Sequence, residues 1–237
     1  MKHWIFAGVS DKRELLLYLS KILTSNGQRV LLVDATEQSK YKYSIGVHDN
    51  EMRLTEFCGI DVASGYESAL ELFSDLDSHG ESELSYDYIL FDLEDPAFCG
   101  QDIWVEADAV VWVTSFERYA LEKSREQFSE LLGRYPQLQG MKIRRVYVQS
   151  VDSRLSEPYI RSFVSSLPFA WQEDFIEMPW DEANVAVHIE SEHARTIGFN
   201  RVTRAYKNAL KELLEQLTEW DKPHTRKLLR YAERRRA

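Results

Sequence analysis

The feature that most constrains this chain is a set of short runs that are apolar on both faces, each followed by a helical pattern. His3–Gly8 reads HWIFAG, 29–34 reads RVLLVD, 86–92 reads YDYILFD, 107–115 reads ADAVVWVTS and 142–150 reads KIRRVYVQS. A strand that is polar on alternate residues can face water on one side. Runs without that alternation need cover on both sides, as in a parallel sheet between helix layers. Leu15, Leu16, Leu19, Ile22 and Leu23 recur at helical spacing after the first run, and Gly27 in SNGQ suits the helix's C-terminal cap.

The same alternation continues down the chain. Residues 64–78 read as a helix capped by Ser64 or Ser68, 116–135 as an amphipathic helix, 157–167 as a helix, 174–179 as a short sixth strand, and 190–220 as one long helix. Residues 35–60 are polar and irregular, and no two-residue hairpin turn is evident. The expectation is a doubly wound, mostly parallel α/β sheet flanked by helices, with residues 1–220 forming a single domain.

Charge adds a second division. The chain of 237 residues carries a net charge of −10, yet from Asp221 onward there are seven basic and two acidic residues. That basic tail, 221–237, holds +5 and leaves −15 on residues 1–220. An acidic body disfavours generic nucleic-acid binding, and no specific nucleic-acid partner is expected. Pro223 suits a helix start, and Leu228, Leu229, Tyr231 and Ala232 form a short apolar stripe among arginines. So short a stripe implies at most weak contact with anionic membranes, and docking of the tail on an acidic protein surface, its own body or a partner's. No apolar run suits a signal peptide or a membrane span, and Cys58 and Cys99 have no metal-ligand spacing, so the expected location is the cytoplasm with both thiols reduced.

In open parallel sheets, ligands bind beyond the carboxyl ends of the strands. Three features fall there: the loop from Gly8 to Lys12 after the first strand, Asp34 after the second and Asp92 after the third. One strand-end acid marks only where a buried strand meets water; three such features in this order point to a nucleotide-site ancestry. Other chemistry finds little support. There is no Gly-x-Ser-x-Gly or His-Glu-x-x-His, and His188 and His193 are five residues apart, which does not put two ligands on one helical face. They read as surface histidines, Glu94 and Asp95 as a solvated acidic turn, and Tyr41, Tyr43, Trp104, Phe169, Trp171 and Trp180 as core aromatics, with Phe169 and Trp180 the candidates for exposure.

From Trp4 to about Trp220 the order of these segments resembles the ParA/MinD superfamily of P-loop ATPases, including its TadZ/CpaE-like branch. RVLLVDA is similar to the family's second-strand motif, YDYILFDLEDP to its Walker B segment, ADAVVWVTSFERYALEKS to its next strand and helix, and EMPWDEANV to its late Pro-x-Asp loop near the base. The resemblance implies a vestigial nucleotide site at Gly8, Lys12, Asp34, Asp92, Pro179 and Asp181, with Lys12 on the P-loop lysine and Asp92 on the magnesium-associated acid. It also locates the departures. Ala7 stands at the signature lysine, Val9 and Asp11 at loop glycines, and Arg13 at the magnesium-binding threonine; Thr36 and Gln149 replace a usual second acid and an asparagine.

Glycines let backbone N–H groups curl around phosphates, and Val9 and Asp11 oppose that. Arg13 offers no oxygen to magnesium, and phosphoryl transfer depends on positioning and charge. The expectation is therefore a degenerate Walker A: no ATP hydrolysis, no catalytic or metal-binding residue, no cofactor beyond at most weak ATP–magnesium binding. The chain is expected to act by protein–protein interaction, positioning or scaffolding a pilus or secretion apparatus in a bacterium through partners such as a secretion ATPase, and any homodimer is expected to form without nucleotide. The alternatives are an ATP-binding switch of the partition or division-site type, and a nucleic-acid or membrane adaptor acting through the tail.

Overall fold

The computed structural model describes residues 1–46 and 52–234. Among the described residues one sheet has eight strands: β1 Lys2–Ala7, β2 Val30–Ala35, β3 Leu54–Phe57, β4 Ile60–Ser64, β5 Tyr88–Leu93, β6 Ala109–Thr114, β7 Lys142–Ser150 and β8 Ala170–Pro179. They lie in the order β3-β4-β2-β5-β1-β6-β7-β8, and every pairing is parallel except β3 with β4. This is the doubly wound, mostly parallel sheet expected from the apolar runs.

Strand residues feed two cores because successive side chains point to opposite faces. Trp4, Phe6, Leu32, Leu90 and Val111 share one face with α1 (Arg13–Ser25), α8 (Arg204–Leu217) and α9 (Lys222–Arg234). Ile5, Leu31, Val33, Ile89, Phe91 and Trp112 share the other with α3 (Ala69–Ser78), α4 (Gln101–Glu106), α5 (Arg118–Arg134) and α6 (Glu157–Ser162). Completing the set are α2 (Tyr41–Ile45) and α7 (Glu182–Ala194). Ser68 caps α3, its side chain accepting from the Glu71 N–H. Arg145 of β7 is buried, its guanidinium donating to the carbonyls of Gln172 and Glu173 and pairing with Glu157.

Strand β8 begins at Ala170 instead of 174 and α6 stops at Ser162 instead of 167, and three larger details depart from the sequence reading. The stretch 35–60, expected to be irregular, contains α2 and β3, and β3 joins β4 through a two-residue hairpin. Cys58 (φ 54°) and Gly59 (φ 83°) both take left-handed backbone, as such a loop requires. Cys-Gly is not among the usual turn pairs, since only the glycine adopts that conformation freely, so the turn was hidden. Second, 190–220 is not one helix. Arg195 ends α7 in the left-handed region at φ 52°, and Thr203 caps α8 by accepting from the Tyr206 N–H. Third, α4 was not anticipated; its Trp104 is buried and donates to the Pro96 carbonyl.

The basic tail is helical through Arg234, starting one residue before Pro223. Leu228, Leu229 and Ala232 are buried in the core shared with α1 and α8, and Glu233 pairs with Lys207 of α8 at 2.8 Å. Among the described residues no helix is long and apolar enough to cross a membrane.

Candidate functional site

The carboxyl ends of β1, β2 and β5 meet the N-terminus of α1. Pairing puts Asp34 directly beside Asp92, so adjacent strands end on adjacent acids. Between β1 and α1 the chain turns at Gly8, whose φ is 141°; a side-chain carbon there would stand 2.1 Å from the Val113 carbonyl oxygen. Only glycine fits. Ser10 fixes the loop from the other side by accepting at 2.8 Å from the Ser115 N–H, just beyond β6.

Lys12 turns inward and is buried. Its Nζ donates to the Gly8 carbonyl at 2.6 Å and the Ser10 carbonyl at 3.2 Å, and stands 2.8 Å from Asp92 Oδ1. Asp92 Oδ2 accepts from the Tyr41 hydroxyl at 2.8 Å. Tyr41, itself fully buried at the start of α2, leads to Asp34, whose Oδ2 accepts from the Tyr41 N–H at 3.3 Å and the Ser64 hydroxyl at 3.3 Å. Thr36 closes the set with its hydroxyl 2.6 Å from Asp34 Oδ1. Burial raises both acids. Asp34 reaches about 6, with the Thr36 hydrogen bonds opposing the rise and the nearby Asp92 charge adding to it. Asp92 also lies above the ordinary carboxylate value, although the Lys12 charge counters burial.

A second set of contacts covers the same helix end. Asp11 Oδ1 accepts from the Arg13 N–H at 3.0 Å, and its carboxylate also takes Arg13 Nε and Nη2, at 3.1 and 2.8 Å. An anionic side chain thus satisfies a free N–H at the positive end of α1. Burial opposes ionisation of Asp11, but Arg13 holds the carboxyl below its ordinary value. Arg13 Nη1 continues to Glu192 Oε1 of α7 at 3.0 Å, and Glu192 also accepts from the Ser44 hydroxyl of α2 at 3.1 Å. Asp11 and Arg13 therefore tie α1, α2 and α7 together.

On the far side of this clamp lies a cavity of about 210 Å³, with Glu14, Gln149, Met178, Trp180, Asn184 and His188 among its lining residues. Gln149 adopts the left-handed region (φ 54°) at the end of β7. Asn184 Oδ1 accepts from the Thr203 N–H at 2.9 Å, while its Nδ2 is buried with no partner among the described residues. Burial and the Asp11 charge push Glu14 up to about 7. His188 is lowered by burial and by the Arg13 charge.

The structure thus gathers Gly8, Lys12, Asp34 and Asp92 in one network and places Pro179 and Asp181 at the cavity instead, where Asp181 caps α7 by accepting from the Ala183 N–H at 2.8 Å. Trp180 is half exposed and Phe169 is buried, while Tyr43, expected in the core, is half exposed as well. His193 is exposed, and His188 is partly buried in the wall of the open cavity, because α7 turns that face toward α1. Tyr41 carries no site motif, and nothing in the sequence connects it with the acids. Glu192 gave no signal, since its partner Arg13 is remote in sequence. Among the described residues no cluster of His, Cys, Asp and Glu could hold a metal ion.

The chain has the fold of the MinD and ParA P-loop ATPases. It is similar over 94% of its length to 98% of a chain from the MinC:MinD cell division protein complex of Aquifex aeolicus, at 14% identity and TM-score 0.63. It covers 99% of the cell division ATPase MinD of Pyrococcus furiosus with 92% of its own length, at 17% identity and TM-score 0.56. A ParA family ATPase from Chlorobium tepidum aligns over 90% of this chain and 97% of its own, at 14% identity and TM-score 0.56. At these identities the likeness is one of fold. No family model matches the sequence, and no curated protein matches it.

Proposed function

We propose that this chain is a non-catalytic relative of the ParA/MinD ATPases, a pseudo-ATPase with a degenerate Walker A that works by holding other proteins. The observation that carries this reading is the engagement of the phosphate-loop donors by the chain itself. Lys12 Nζ rests on Asp92 and two carbonyls, and the Arg13 N–H rests on Asp11. In this arrangement the residues do not fit a magnesium triphosphate. Its phosphates would face the Asp11 carboxylate at the helix N-terminus, and the position of the metal-binding hydroxyl holds a guanidinium.

The biological setting that best suits such a platform is positioning or scaffolding a pilus or secretion apparatus from the cytoplasm, in the manner of the TadZ/CpaE-like branch, through a protein partner of the machine. This step is an analogy, because a fold hosts many functions. Any homodimer would form without nucleotide. A second reading, an ATP-dependent spatial switch, draws on the gathering of Lys12, Asp34 and Asp92 at the strand ends.

Phosphate release with magnesium–ATP separates the two, read beside Lys12→Ala. The expected result is background turnover in both proteins and an ultracentrifugation profile unchanged by ATP. Turnover lost in the variant, or a dimer that needs ATP, would establish the switch instead.

A further inference from the structure

The arginines of α9 do not surround an exposed apolar stripe. Leu228, Leu229 and Ala232 are buried, and Arg226, Lys227, Arg230 and Arg234 are left outside. Between α9 and α8 runs an open groove of about 660 Å³. Arg204, Lys207 and Lys211 line it from α8, and Arg226 and Arg230 from α9. The acid lining it, Glu233, is paired with Lys207, and Lys211 pairs with Glu215 at 3.2 Å. Arg204, Arg226 and Arg230 have no carboxylate within ion-pair distance among the described residues. Three guanidiniums line one concavity, on a chain whose net charge is −10.

We infer that this groove docks an acidic polypeptide segment, with Arg204, Arg226 and Arg230 taking its carboxylates. Arginine pairs with carboxylate through two parallel N–H donors, which suits side chains held on groove walls. The methylene stems of the arginines supply an apolar edge for a leucine between the acids. A membrane is a poorer occupant. The leucines that a surface helix would insert already belong to the core, and the charges line a concave wall. A polynucleotide would run beyond the groove onto the strongly acidic remainder of the chain. The inference stands whether or not the phosphate loop turns over nucleotide.

Fluorescence anisotropy of the whole chain with a fluorescein-labelled, glutamate-rich peptide containing leucines tests it. Binding should saturate and weaken with salt. The combined R204E, R226E and R230E variant should bind at least about tenfold more weakly, with an unchanged thermal melt. A variant with R118E and R125E on the exposed face of α5 should bind like the parent. Should the charge-reversed protein not fold, the corresponding triple Arg→Gln variant should still lose affinity several-fold. Absence of peptide binding, or binding that the folded variant retains, would overturn the inference. So would equal or tighter binding of single-stranded DNA or phosphatidylserine vesicles through the same arginines. A concentration-dependent dimer lost in the triple variant would assign the groove to a second copy of the chain and also overturn it.

Discussion

The two sides of the α1 N-terminus are built differently. Toward β1, β2 and β5, the polar groups are buried and mutually engaged: Lys12, Asp92, Tyr41 and Asp34 bind one another, and little of them reaches water. Toward β7, β8 and α7, a cavity remains, Trp180 stands half exposed at it, and Asn184 Nδ2 has no partner among the described residues. One helix end thus has a sealed face and an open face, with the Asp11–Arg13 clamp between them. The contrast teaches that strand-end acids need not signal an available ligand site. The same residue types that hold a ligand also hold the fold when the chain supplies their partners.

The largest effect should come from breaking the sealed side at its cation. Lys12→Met leaves Asp92 buried beside Asp34 without a counter-charge, and removal of one partner of a buried pair costs about 3–5 kcal/mol. Denaturant unfolding should register that loss, and a cost below about 1 kcal/mol would mean that Lys12 samples solvent and the face is not sealed. Tyr41→Phe tests the next contact. It deletes the hydroxyl that donates to Asp92 and should destabilise by about 1–3 kcal/mol, with the α/β circular dichroism retained.

On the open side, Glu14→Gln should stabilise. The Glu14 carboxyl, with Asp11 and Tyr18 beside it, titrates at about 7 in the folded chain against an ordinary value of 4.5. The folded state therefore holds this proton more tightly than the unfolded state. The Glu14 contribution is most favourable below the unfolded value, declines as pH rises from 4.5 to about 7, and is flat above. Gln removes that decline. The variant should exceed its parent by about 1–2 kcal/mol at alkaline pH, after allowance for partial exposure, and the margin should vanish in acid. A margin independent of pH would show that Glu14 is solvated. The smallest effect belongs to Trp180→Ala, within about 0.5 kcal/mol by thermal melt, because the indole is half exposed; a larger loss would make the open face part of the core.

The legible part of this molecule was its apolar skeleton. Strands such as LLV in β2 and ILF in β5 could be read because nothing but burial between helix layers accounts for them, and the acids following them marked the correct end of the sheet. The contacts that seal the site were not legible. Lys12 could be aligned with a loop lysine, but not the inward turn that gives it to Asp92, since that depends on Gly8 approaching Val113 and on Ser10 bonding beyond β6. Tyr41 lay in a polar stretch with no period. The breaks at Cys58 and Arg195 were hidden because both residues adopt a backbone that their type disfavours.

The seat of α9 also governs the order in which this protein can be completed. The outer face of α1 is synthesised early, yet part of its cover is Leu228, Leu229 and Ala232, encoded far downstream. During translation the first βα unit must wait with that apolar face exposed until residues 222–234 have left the ribosome. A ribosome stalled before α9 would present a chain with all eight strands made and its α1 core still open, a nascent form for a chaperone to hold.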